Sequence, residues 1–218
     1  MSRRLRPAVT ADADAMCDIY APFVEETAIS FETEPPTSEE FETRIEKTTE
    51  TYPWLVAERV DGQERGAADR EFDESDPGSG TVIGYASADA LRSTPPYRWT
   101  AELSVYVADG HRGAGVGSML YAALCRILRE QGFYSAYAAT TLPNPASVAL
   151  HERFDFDPVG TFPAVGHKHG EWHDVRWWHR QLDERPADPD PPVPFSEIRD
   201  APELRALLEE RVDGAFED

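Results

Sequence analysis

Apolar and polar positions alternate at period two in some segments of the chain and recur at helical spacing in others. This predicts short strands interleaved with amphipathic helices. Residues 3–8 predict a first strand. Met16, Ile19, Tyr20 and Phe23 predict a helix over about 11–25, with Thr10 as its N-cap and Asp12 and Asp14 in the favourable first turn. Thr37-Ser-Glu-Glu opens a second helix over about 37–50, and Trp54-Leu-Val-Ala-Glu predicts a strand. Thr81–Ala90 predicts another. So does Trp99–Val107, where Leu103, Val105 and Val107 alternate against Ser104 and Tyr106. The clearest helix carries Val116, Met119, Leu120, Ala123, Leu124, Ile127 and Leu128 on one stripe and stops at Gly132. Tyr134–Thr140 predicts a strand. Asn144-Pro145 predicts an N-cap and a first-turn proline for a helix to about Phe154. Strands at about 156–165 and 172–182 complete the pattern.

The pattern therefore describes one mixed α/β (α+β) domain over residues 1–182. Residues 61–80 break it with a polar, acidic, glycine-containing stretch, which predicts a loop inserted between two hairpin strands. Residues 183–194 are rich in Asp and Pro and predict a linker. Leu204, Leu207 and Leu208 then share one side of a helix too short to fold alone, so the 183–218 tail either docks or stays loose.

Composition narrows the function classes. The 218 residues are 40% hydrophobic, enough for a full core. No apolar run reaches the roughly 18 residues of a membrane span, and no apolar stretch follows the charged Met1-Ser-Arg-Arg-Leu-Arg, so no signal peptide is expected. A formal net charge of -20 argues against nucleic acid and anionic membranes as partners. Lys47 and Lys168 are the only lysines. Dense carboxylate with scarce lysine suggests a halophilic protein in a high-salt cytoplasm. Cys17 and Cys125 lie in helical patterns without metal-ligand spacing, which suits reduced thiols in a cytoplasmic protein.

The chemistry-bearing segment is Arg112-Gly113-Ala114-Gly115-Val116-Gly117-Ser118, between a strand and the best helix. Glycines let the backbone approach a bulky anion, and the free N–H groups of the helix's first turn favour a pyrophosphate. A Walker loop would need Gly-Lys-Ser/Thr, and a Rossmann fingerprint would follow the first strand of a parallel βαβ unit; neither condition is met.

The segment resembles the coenzyme-A signature of the GNAT acetyltransferases. Tyr52-Pro-Trp-Leu-Val-Ala-Glu, Trp99-Thr-Ala-Glu-Leu-Ser-Val-Tyr-Val, Gly117-Ser-Met-Leu-Tyr, Glu130-Gln-Gly-Phe, Leu142-Pro-Asn and Lys168-His-Gly-Glu-Trp-His-Asp-Val resemble its phosphinothricin N-acetyltransferase group over about residues 3–182. The resemblance implies a GNAT fold: a mostly antiparallel, splayed sheet flanked by helices. It also implies acetyl-CoA as co-substrate and a small amino-acid-like amine as acceptor. The coenzyme would be held by Val105, Tyr106 and Val107, by the turn from Arg112 to Ser118, and by Asn144. Glu102 would take the amine's proton, directly or through water, and His151 would protonate the leaving thiolate or relay protons.

Phe31, Arg92, Tyr97, Ser104, Tyr106, Tyr121 and Thr141 are the implied acceptor-pocket residues. Arg92 suits a carboxylate or phosphinate. Three positions depart from the family pattern. Thr94 replaces a second cation, which weakens the expectation of a doubly anionic acceptor; Thr141 and Asp155 replace glycines. His167, His169 and His173, near Glu171 and Asp174, are read as a strand-linking segment without a metal. A homodimer is expected, with the segment around Val175 near the partner's pocket. The rival readings are a protein N-terminal or lysine acetyltransferase and a non-catalytic acetyl-CoA-binding sensor.

Overall fold

The computed structural model describes residues 2–60 and 80–209; the inserted loop predicted at 61–80 lies, except for Gly80, outside the described residues. The described strands form a single sheet in the order β1-β2-β3-β4-β5-β7-β6. They are β1 (Ser2–Pro7), β2 (Trp54–Val60), β3 (Thr81–Ala90), β4 (Thr100–Val107), β5 (Ser135–Leu142), β6 (Asp157–Lys168) and β7 (Glu171–Gln181). Every neighbouring pair is antiparallel except β4 with β5, which is parallel.

Two helical layers cover this sheet. On one face lie α1 (Ala13–Glu25) and α2 (Ser38–Thr49). Met16, Tyr20, Phe23, Phe41 and Ile45 pack there against Trp54, Val56 and Tyr85. On the other lie α3 (Val116–Gln131) and α4 (Pro145–Arg153). The buried stripe of Val116, Leu120, Leu124, Ile127 and Leu128 meets Leu55, Ala57, Ala86 and Leu103, the residues that β2, β3 and β4 turn the opposite way.

One helix start differs from expectation. Thr10 does not cap α1; Thr10–Asp12 form a 3-10 turn, and α1 begins at Ala13 with Asp12 before it. The cause is electrostatic. The Asp12 carboxylate accepts from Arg6 Nη1 at 2.7 Å and Nη2 at 2.6 Å, and from the Val9 N–H at 2.9 Å. Arg6 in turn donates to Glu58, which is fully buried at a bulge in β2. These buried charges are each paired, as burial requires. The predicted cap at Thr37 is present: its hydroxyl accepts from the Glu40 N–H, and Glu40 reaches back to the Thr37 N–H at 2.8 Å. Asp155 holds the left-handed conformation at φ 54°, so it serves where a glycine is usual.

The tail docks as far as Glu209. α5 (Phe195–Ile198) and α6 (Pro202–Glu209) place Phe195, Leu204, Leu207 and Leu208 in the core on the α3 side. Gln131 Nε2 donates to the carbonyls of Thr51 and Val193, and Trp99 Nε1 donates to that of Asp190 at 2.7 Å. The Asp/Pro segment is thus a strap across the sheet's end. Among the described residues, no helix is long and apolar enough to cross a membrane.

Candidate active site

The site begins where the sheet comes apart. β4 pairs with β5 only from Thr100↔Ser135 to Glu102↔Tyr137. Beyond that point β4 continues with β3 to Val107, and β5 continues with β7 to Leu142. The gap leaves one main-chain edge of Leu103–Val107 without a strand partner, and Glu102 sits at its apex. Alternation then sorts the β4 side chains. Leu103, Val105 and Val107 face α3, while Glu102, Ser104 and Tyr106 face the α1 side.

A cleft of about 460 Å³ opens on the α3 side of the fork. Of the predicted coenzyme residues, Val105, Val107, Arg112, Gly113, Gly115, Gly117, Ser118 and Asn144 line it. Tyr106 does not; alternation turns it to the other face. Nor do the Ala114 and Val116 side chains. The Ala114 carbonyl accepts from Arg3 Nη1, and Val116 is buried under Gly84.

The turn fits a pyrophosphate on its own geometry. Gly113 and Gly115 sit at φ 69° and 85°, where other residues are strained. No side chain caps the N-terminus of α3, so its first N–H groups are open to an anion. A Cβ on Gly117 would stand 3.7 Å from Val107 and 4.0 Å from Val105, inside the cleft. Arg112 flanks the turn with its guanidinium 4.6 Å from the Phe23 ring centroid, where its Nε donates to the Val107 carbonyl at 3.2 Å.

A small polar pocket of about 60 Å³ continues from the cleft, sharing Ile29, Val105, Asn144 and Ser147 with it. It brings together Ser104, Tyr106, Tyr121, Thr141 and His151. Asn144 caps α4 by accepting from the Ser147 N–H at 3.1 Å, with Pro145 first in the helix. That cap orients the helix that delivers His151. The imidazole is buried among Tyr121, Phe156 and Trp178, and its Nδ1 lies 3.1 Å from the Tyr121 hydroxyl. Burial lowers it to about 4, so it is neutral near pH 7. Burial also raises Tyr121 and Tyr106, so both phenols keep their protons.

Glu102 is half-buried, and desolvation raises its carboxyl above the ordinary range; Arg92 opposes that rise and Asp89, its β3 partner, adds to it. Phe31, Arg92 and Tyr97 stand outside the wall of the small pocket. Phe31 and Tyr97 are exposed, and Arg92 Nη1 donates to the Leu91 carbonyl. Both thiols are raised by burial, Cys125 to about 11, so neither is a ready nucleophile. Among the described residues, no group of three or more His, Cys, Asp or Glu is placed to hold a metal ion. His169 and His173 meet main-chain carbonyls instead.

The sequence reading missed several lining residues. Ala146, Ser147, Ala149, Leu150 and Arg153 form one face of α4 along the cleft. Their three- and four-residue spacing behind Asn144-Pro145 was a usable signal. Phe23 and Ile29 also line the cleft. Phe23 reads in the sequence only as one of the apolar positions that predict α1, and Ile29 lies in irregular chain with no periodicity to betray it.

Comparison with known proteins places this geometry. Residues 24–156 match the acetyltransferase (GNAT) family model. The chain belongs to that family. Within it, the chain is 39% identical over 194 residues to a phosphinothricin N-acetyltransferase of Streptomyces viridochromogenes, covering 89% of this chain and 95% of the relative. It is 36% identical over 187 residues to an L-methionine sulfoximine/L-methionine sulfone acetyltransferase of Pseudomonas aeruginosa, covering 84% and 96%. The crystal structure of a phosphinothricin acetyltransferase from Sinorhizobium meliloti in complex with acetyl-CoA superposes with a TM-score of 0.73 at 33% identity, covering 88% of this chain and 94% of that one.

Proposed function

We propose that the chain is an N-acetyltransferase that acetylates the amine of a small amino-acid-like acceptor from acetyl-CoA. The observation that carries this reading is the fork between β4 and β5. It opens at Glu102, with a glycine-lined cleft on one side and a polar pocket reaching His151. Acetyl-CoA supplies an activated thioester carbonyl. The open N–H groups of the 113–117 turn would hold its diphosphate, and the unpaired edge of Leu103–Val107 its pantetheine arm.

Glu102 takes a proton from the acceptor's ammonium. Its raised pKa brings it nearer to an effective base, and it stands next in the chain to Leu103, the first β4 residue in the wall of the small pocket. His151 stays neutral. With Nδ1 accepting from the Tyr121 hydroxyl, its Nε2–H would hydrogen-bond to the departing sulfur, and the thiolate takes its proton from the N–H⁺ that the amine carries after attacking the thioester. The raised thiols support direct transfer without an acetylated cysteine.

Arg92 holds the acceptor's acidic group, and Thr94 in place of a second cation favours acceptors with a single negative group there. Methionine sulfoximine and methionine sulfone join phosphinothricin as first candidates. The enzyme works in a saline cytoplasm as a homodimer. Val159, Phe162, Val165 and Trp172, exposed on the β6–β7 hairpin, offer the apolar surface for the second copy, whereas Val175 is buried within its own chain.

An acetyl-CoA consumption screen at molar KCl tests this reading, with these acceptors and the common amino acids. Turnover on at least one is expected, with Glu102→Gln reducing kcat/KM by about 10²–10⁴. Coenzyme binding with no turnover on any amine would mark a sensor instead, and unchanged turnover in the variant would remove Glu102 from the chemistry.

A further inference from the structure

The tip of the β6–β7 hairpin reaches across the molecule to the chain that follows α1. Lys168, one of only two lysines in the sequence, is 8% exposed there. Its Nζ donates to the carbonyl of Val24 at 2.6 Å and to that of Ser30 at 2.7 Å. Val24 lies in the last turn of α1, where carbonyls lack helical partners and the dipole is negative. Its neighbours there are already satisfied. The Glu26 N–H takes the Pro22 carbonyl, and the Thr27 hydroxyl takes that of Phe23. The ammonium therefore completes the cap and ties it to Ser30.

Three further contacts join the same two pieces of chain. His169 Nε2 lies 3.2 Å from the Thr27 carbonyl. The Phe31 ring lies so close over Gly166 that a Cβ there would stand 2.2 Å from it. Phe31 also packs near His173, with ring centroids 6.3 Å apart, and His173 is fixed by the Lys168 carbonyl at 3.0 Å. The hairpin is built for this reach. His169 and Gly170 occupy the turn at φ 51° and 80°, positive at both central positions as a tight type I′ turn requires. A compact ammonium between two carbonyls also suits lysine; the planar guanidinium fork, common elsewhere in this chain, spreads its donors too widely.

The clasped segment is the one that serves the acceptor. Ile29 lines both the cleft and the small pocket. The Ser30 hydroxyl bonds the Tyr20 hydroxyl at 2.7 Å, and Tyr20 packs edge-on against Tyr106 of that pocket, with centroids 4.8 Å apart. We propose that Lys168 is a positioning residue for the acceptor: from the hairpin tip it pins residues 24–31, and so sets where Ile29 and Phe31 stand. The link from this clasp to acceptor affinity rests on the acetyl-transfer reading above; the clasp itself does not.

Two variants separate the parts. Lys168→Met keeps the length of the side chain and removes the ammonium. It is expected to raise the acceptor KM about tenfold or more while the acetyl-CoA KM stays within about twofold. Its amides at 26–32 should exchange hydrogen faster than those of the wild type. The three atoms nearest a Cβ on Gly166 all belong to the Phe31 ring, which is exposed and can swing aside, so Gly166→Ala should raise the acceptor KM with little change in melting temperature. Unaltered exchange at 26–32 in Lys168→Met overturns the clasp. An unaltered acceptor KM in both variants, or an equal rise for both substrates, overturns its role in positioning. If the wild type acetylates no acceptor, the functional reading fails, and the exchange measurement still decides the clasp. Should Lys168→Met not fold, Gly166→Ala carries the test of positioning.

Discussion

Replacing His151 with glutamine should flatten the dependence of stability on pH below neutrality. The imidazole has an ordinary pKa near 6.5, and burial among Tyr121, Phe156 and Trp178 lowers it to about 4. Between those two values an unfolded chain binds a proton at this residue and the folded chain does not. The stabilisation from a neutral, buried His151 is therefore complete above pH 6.5 and is lost as pH falls toward 4. The loss runs at about 1.4 kcal/mol per pH unit and totals about 3 kcal/mol at the acid end. Many carboxylates titrate in the same range, but they are common to both proteins and cancel in the difference. The assay is urea unfolding of wild type and His151→Gln at fixed KCl from pH 4 to 7. The wild type should lose about 3 kcal/mol more than the variant across that window. Parallel curves would show that the imidazole is not held neutral by burial, and the role of His151 as a neutral hydrogen-bond donor would fall with that.

Three further outcomes follow from named contacts. Arg92 lowers the Glu102 carboxyl and Asp89 raises it, so the acid limb of kcat/KM against pH should move up in Arg92→Met and down in Asp89→Asn. A limb fixed in both variants would mean that another group sets it. Gly117→Val places branched atoms in the cleft beside Val107 and should raise the acetyl-CoA KM about tenfold or more, with an unchanged far-ultraviolet spectrum. Phe195→Ala removes a ring that is fully buried where the tail meets the core; a loss of about 3–5 kcal/mol in urea unfolding is expected, against almost none if the strap is ornamental.

The sheet and helices were legible because their burial is one-sided and periodic. The α3 stripe and the β4 alternation state which face each element buries, and the Thr37 and Asn144 caps mark where helices begin. Thr10 misled because its immediate neighbourhood matches a cap, while the decisive partner of Asp12 is Arg6, held by Glu58 from a separate strand. The docking of the tail was open for a similar reason. Leu204, Leu207 and Leu208 announce an apolar side but do not say what it meets. Within the site, the glycine turn and Asn144 carried local signals. Ile29 carried none, since it lies in irregular chain whose next residue, Ser30, is bonded by a lysine 138 positions further along.

β4 shows why register is a functional quantity here. Its even-numbered residues Glu102, Ser104 and Tyr106 stand opposite Asp89, Ser87 and Tyr85 of β3, and its odd-numbered residues turn toward the cleft beside α3. Shifting β4 by one residue would send Val105 to the acceptor side and put the carboxylate of Glu102 against the apolar stripe of α3. The antiparallel pairing with β3 runs unbroken from Ala90↔Ala101 to Gly84↔Val107, whereas the pairing with β5 stops at Glu102. Register is thus fixed from one edge of the strand, which leaves the other edge free to open. A strand held from both edges would keep its register equally well, but it would leave no unpaired main-chain edge beyond Glu102.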